Sequence, residues 1–116
     1  MSNSDKNTIQ WDDFSKIEMR IGTVISCEVS EKARSPAYKM TIDFGEFGIR
    51  KTSAQITKLY QPENIIGKQV IAVVNFPPKQ IANIMSECLI LGGVGKDNEV
   101  TLIQPERETE NGTKIG

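Results

Sequence analysis

The stretch from Val70 to Gly93, VIAVVNFPPKQIANIMSECLILGG, carries more apolar weight than any other and constrains the fold most. Val70 to Phe76 is an almost unbroken run rich in β-branched residues, bounded by Pro77-Pro78, which neither donate to a ladder nor sit inside a helix. It predicts a central, buried strand. Beyond the prolines, Ile81, Ile84 and Met85 fall at one-turn spacing and predict a short helical turn, and Cys88 to Leu91, closed by Gly92-Gly93, predicts a second buried strand. Asn75 is an amide inside the first run. Buried there, it needs hydrogen-bond partners, and Ser86 or Glu87 at the start of the next strand are placed to supply them, either to lock the connection or to line a site beside it.

Upstream, Trp11, Phe14 and Ile17 recur every third residue, as in one short helical segment lying on the body of the domain or against a partner subunit. From Glu18 to Val29 the period becomes two, with Met19, Ile21, Ile25, Cys27 and Val29 on one face. Gly22 in that strand suggests a bulge or tight bend. Glu31 to Pro36 reads as a loop with cationic tips at Lys32 and Arg34. Tyr38, Met40, Ile42 and Phe44 then alternate with Lys39, Thr41 and Asp43, a second strand with a clear inside and outside. Gly45 to Gly48 turns the chain into a third strand, Ile49 to Ala54, and the segment from Ser53 to Gly67 holds a short helix. Three strands, a helix and two more strands is the order of a five-stranded Greek-key barrel, the OB-fold. Val100 to Ile103 extends the last hairpin. The fold expected is all-β with a short helix and with N- and C-terminal extensions: a flexible segment over residues 1–10, then one domain over residues 11–116.

Composition narrows the chemistry. A chain of 116 residues buries about two-thirds of its unfolded surface and holds a core without staples. Cys27 and Cys88 read as buried, reduced thiols outside any metal-type spacing. With no histidine, a net charge of −1 and no phosphate-cradling glycine loop, the chain is not expected to be an enzyme and no cofactor or metal is expected. Asp12-Asp13 is explained by the start of a helix, where the dipole favours negative charge. No apolar run approaches the roughly 20 residues that cross a bilayer, so membrane insertion is not expected and a cytoplasmic location is.

The blocks KIEMRIGTV, FGIRKTSAQI, QVIAVVNFPPKQIANIMSECLILGG and NGTKIG, in that order, closely resemble CsaA-type secretion chaperones, members of the tRNA-binding OB domain family. The resemblance covers nearly everything after Asp12. It implies an OB-fold homodimer that binds unfolded or export-bound polypeptides non-covalently, with tRNA as the rival ligand and the export machinery as a further partner. Carried onto matching positions, the family's nucleic-acid face implies Arg20, Lys39, Ser53, Asn75, Lys79, Ser86 and Glu87. Arg20 and Lys39 fall on the polar faces of their strands, where cations meet phosphates. Aromatic residues are only 6% of the chain, so base stacking is poorly supplied. A chaperone needs an adaptable apolar surface, and Phe47, Phe76, Pro77, Pro78, Ile81, Ile84 and Met85 are the candidates, as a peptide groove or as a dimer interface.

Overall fold

The computed structural model describes residues 7–30, 35–81 and 83–116. Lys32, Arg34 and residues 1–6 of the expected flexible terminus lie outside it. The barrel begins with β1 (Met19–Val29), β2 (Tyr38–Asp43) and β3 (Ile49–Ala54), continues with β4 (Gln69–Val73), and ends with β7 (Leu89–Ile90), in the sheet order β3-β2-β1-β4-β7. Every pairing in this sheet is antiparallel. The sheet curls until its two edge strands, β3 and β7, face each other, giving the nearly closed five-stranded barrel that the strand order predicts.

The alternation in β2 sets the inside. Tyr38, Met40 and Ile42 are buried, Lys39, Thr41 and Asp43 are not, and Phe44 continues the inward row. Around Met40, Ile42 and Phe44 pack Val24, Ile56, Ile65, Val70 and Ala72. Each large side chain buried this fully contributes roughly 1.5–3 kcal/mol against its exposed state.

β1 serves two partners because it bends. Its first half pairs with β4, Met19 opposite Val73 through Thr23 opposite Gln69, and its second half pairs with β2. The bend is a bulge at Ile25: Val24 faces Ile42 and Ser26 faces Thr41, leaving Ile25 between them and exposed. This corrects the expected faces of β1, since Gly22, Val24 and Cys27, not Ile25, look into the barrel. Gly22 is required for a different reason: a Cβ there would stand 2.7 Å from side-chain atoms of both Ile42 and Phe44. It is a point of close approach.

The connection after β4 also differs from expectation. Ile81, Ile84 and Met85 form no helical turn; they belong to a small hairpin of β5 (Lys79–Ile81) and β6 (Ile84–Ser86), in which Ile81 and Ile84 are register partners. Cross-strand neighbours beside a tight connection fall at the same spacing as one helical turn. β4 stops at Val73, so Asn75 is exposed. Its amide oxygen accepts the Glu18 N–H at 3.0 Å and its NH₂ donates to the Lys16 carbonyl at 2.7 Å, tying the entry of β1 to the exit of β4. Neither Ser86 nor Glu87 bonds to it among the described contacts.

A second hairpin, β8 (Gly92–Val94) with β9 (Val100–Leu102), follows β7. It is held through Tyr60, whose hydroxyl accepts the Leu102 N–H and whose carbonyl accepts the Tyr38 hydroxyl. Helix Pro62–Ile65 plugs the barrel with Ile65. Helix Trp11–Ser15, started by Asp13 accepting the Gln10 N–H, packs Trp11 on Phe14 at 5.7 Å between centroids, yet leaves Trp11 74% exposed. The C-terminal segment runs along the first half of β1 as a strap: Gly112 donates to the Ile21 carbonyl, Ile21 to that of Thr113, and Ile115 to that of Met19. No helix among the described residues is long and apolar enough to cross a membrane.

Candidate binding groove

Where β3 meets β7 the barrel is fastened by side chains instead of a ladder. Met40, opposite Thr52, places the Thr52 side chain on the inward face. There, 1% exposed, its hydroxyl lies 2.7 Å from the Cys88 carbonyl and 3.0 Å from the Ser86 hydroxyl. Glu87 then copies a strand: its N–H donates to the Lys51 carbonyl and its carboxylate accepts the Lys51 N–H, at 2.8 and 2.9 Å. Arg50 donates to the Val74 carbonyl at 2.7 Å, closing the end of the seam. A buried polar residue in strand phase, as Thr52 is in IRKTSA, was the one sequence signal for this fastening.

Over the seam lies a groove of about 430 Å³. Ser53, Lys79 and Ser86 line it together with Phe76, Pro77 and Ile81, and Cys88 and Leu89 complete the lining. Residues implied for nucleic acid and residues implied for polypeptide thus share one cavity. Register sets Lys79 opposite Ser86 across the hairpin, while Lys39, the register partner of Ser53, stays outside the lining. A second lobe of about 360 Å³ shares Ser53 and Leu89 and continues toward Ile56, Val94 and Val100. Phe76 and Leu89 are about half exposed, at 55% and 49%. Among the described residues Lys79 is the only charged side chain lining either lobe.

The other candidates lie elsewhere. Arg20 is held, not free: it bonds Glu18 at 2.7 Å and the Gly112 carbonyl at 2.8 Å, with its guanidinium 3.6 Å from the centre of the Phe47 ring. Arg20 and Phe47 therefore anchor the C-terminal strap. Lys39 reaches Glu28 at 3.2 Å on the outer face of β1 and β2. Glu87 is committed to Lys51, Asn75 to the start of β1. Pro78 and Met85 are exposed beside the groove without lining it, and Ile84 is half-buried opposite Ile81.

Cys88 and Leu89, missed in the sequence because they sit in an apolar run, define the groove's limit. Burial pushes the Cys88 thiol up to about 11, even with Arg50 and the Thr52 hydroxyl favouring its ionised form, and burial does the same to Cys27, aided by Glu28 and Glu63. Both remain protonated at neutral pH and are poor nucleophiles. No cluster of metal-binding side chains occurs among the described residues. The groove is suited to holding a ligand by shape, apolar contact and hydrogen bonds.

Comparison with known proteins gives a consistent result. Residues 19–114 match the family model described as "Putative tRNA binding domain". A methionine--tRNA ligase of Methanococcoides burtonii is 38% identical over 110 residues, 95% of this chain but 16% of the ligase. The chain therefore spans only about a sixth of that relative. Crystal structures of CsaA chaperones are similar almost end to end: that of Bacillus anthracis at 51% identity and TM-score 0.90, covering 94% of this chain and 99% of the other, and that of Picrophilus torridus at 46% and 0.88, covering 94% and 100%.

Proposed function

The chain belongs to the tRNA-binding domain family, and from that membership and the groove we propose that it is a chaperone of the CsaA type, binding unfolded or export-bound polypeptide non-covalently as a homodimer in the cytoplasm. The observation that carries the reading is the groove lining: among the described residues, apolar side chains with a single cation and with hydroxyls at the edge. A phosphate chain is bound by many cations, and one lysine supplies at most one such contact. The near end-to-end likeness to two CsaA chaperones supports the same reading. The binding unit is residues 11–116, and the exposed Trp11 with Phe14 and Ile17 offers an apolar surface for a second copy.

The second reading, tRNA binding, is favoured by the family match itself. Lys39 and Lys79 flank the hydroxyls of Ser53 and Ser86 and would contact backbone phosphates. Competition separates the two. Labelled tRNA is bound at low and at physiological salt, with and without an excess of unfolded apolar peptide. Peptide binding that persists at physiological salt while tRNA is lost supports the chaperone reading; tRNA binding that survives salt and ignores peptide refutes it. Mutual exclusion assigns both ligands to the groove. Delivery of clients to the export machinery follows only from the first outcome.

A further inference from the structure

The structure assigns Asn111 as a site of covalent modification: deamidation through ring closure with Gly112, a reaction that proceeds while the C-terminal strap is off β1. Asn111-Gly112 is the one Asn-Gly pair in the chain. Such a pair is the most prone to this reaction, because the second residue has no side chain to obstruct its nitrogen. The Gly112 nitrogen loses its proton to hydroxide and attacks the Asn111 side-chain carbonyl carbon, and the carboxamide nitrogen, protonated by water, leaves as ammonia. One water then opens the five-membered imide. Opening at the side-chain carbonyl gives aspartate; opening at the main-chain carbonyl gives isoaspartate, in which the chain runs through the side chain and is longer by one carbon.

With the strap in place, the reacting groups are held apart. The Thr113 N–H donates to the Glu110 carbonyl at 3.2 Å, and Gly112, at φ +93°, follows a residue outside the left-handed region, which makes this a type II turn. Ring closure needs the Gly112 nitrogen eclipsed with the Asn111 Cβ, and a type II turn rotates it away. Gly112 is buried, and its N–H donates to the Ile21 carbonyl at 2.7 Å, which shields the proton from hydroxide. The Asn111 side-chain oxygen accepts the Thr23 hydroxyl at 2.7 Å and the Gln69 side-chain amide at 3.1 Å, fixing the carboxamide between β1 and β4. Neither residue is readily replaced: a Cβ at Gly112 would stand 2.7 Å from the Phe44 carbonyl oxygen, and Asn111 joins two strands at once. The two products differ in consequence. An aspartate oxygen accepts the same two hydrogen bonds, so the strap closes again; the extra carbon of isoaspartate displaces Gly112 from Ile21 and keeps it open.

The test ages the full chain in mildly alkaline buffer and follows Asn111 by mass spectrometry of its proteolytic peptide, with enzymatic methylation of isoaspartate to separate the products. A synthetic peptide of residues 106–116 gives the rate without the fold. The native protein is expected to convert at least tenfold more slowly than the peptide. That factor should match, within about fivefold, the protection of the Gly112 amide against hydrogen exchange in the same buffer, since both report the fraction of protein with the strap off. Arg20→Ala, which frees the strap, is expected to speed conversion and Gly112 exchange by the same factor. Native conversion at the peptide rate, or two factors that disagree beyond that range, overturns the proposal. Purified isoaspartate protein is expected to lose exchange protection at Gly112 and Ile115 while Asn111→Asp keeps it; equal protection in the two overturns the displacement. Should Arg20→Ala fail to fold, the comparison of deamidation with exchange decides the matter on the unaltered protein.

Discussion

Gly22→Ala isolates the tightest contact in the barrel. The backbone at Gly22 has an ordinary φ, so alanine meets no conformational strain there, and by restricting the unfolded chain it adds stability of about 0.4–1 kcal/mol. Against this stands the new methyl group, 2.7 Å from Ile42 Cγ2 and Phe44 Cδ1, side chains that are fully buried and have no free volume to enter. Overpacking of this kind costs about 1–3 kcal/mol, and the two simultaneous clashes place it in the upper part of that range. The net expectation is a destabilisation of about 1–2 kcal/mol. In urea, with a slope of about 1–3 kcal/mol per molar, the unfolding midpoint falls by roughly 1 M. Phe44→Leu removes the clashing ring, so the double variant should be more stable than the sum of the single effects by about 1 kcal/mol. A neutral or stabilising Gly22→Ala, or strict additivity with Phe44→Leu, would refute the close-approach argument.

Two further expectations follow from the same packing. The buried thiols hold their protons to about pH 11, whereas an unfolded thiol ionises near pH 8.5. Their contribution is complete below that lower value and is lost as pH rises toward 11, by up to about 3 kcal/mol for the deeply buried Cys88 and by less for Cys27, whose sulfur is better screened by solvent. Denaturation curves at pH 8 and pH 10.5 measure it, and a loss unchanged in Cys27→Ala/Cys88→Ala would sink the assignment. For Arg20→Ala, loss of the Gly112 carbonyl bond and the Phe47 stack should cost about 2 kcal/mol, and hydrogen exchange at the Gly112 and Ile115 amides should accelerate tenfold or more while core amides of β2 change less. Equal acceleration everywhere would mean that Arg20 supports the whole barrel instead of the strap.

Much of the fold is legible in the sequence because β2 and β4 bury residues by simple rules. Tyr38 to Phe44 alternates without interruption, Val70 to Val74 is apolar on both faces, and the order of elements follows. β1 misleads because the bulge at Ile25 changes phase inside one strand, and a period-two pattern carried through from Met19 puts the wrong residues inward. Ile81 and Ile84 mislead for the opposite reason, since a hairpin and a helical turn place them at the same spacing. The candidate site is legible only as a set of residues. That Ser53, Lys79 and Ser86 meet Phe76, Pro77 and Ile81 depends on how β3 and β7 approach, which no local pattern encodes. Arg20 shows the limit most plainly: a cation in polar strand phase looks solvated until the strap, 92 residues later, arrives to hold it.

That strap also dictates a schedule for synthesis. The first half of β1 has β4 on one side and residues 112–115 on the other, joined by partners such as Thr23 and Asn111 that are 88 positions apart. While a ribosome is still extending the chain, the earliest strand to emerge has one flank bare, and it stays bare until the last stretch of the domain is released. Such distant pairings close slowly, because loop entropy is spent before the contacts repay it. Until residues 112–115 arrive, the nascent domain is thus the kind of incomplete chain that chaperones shelter.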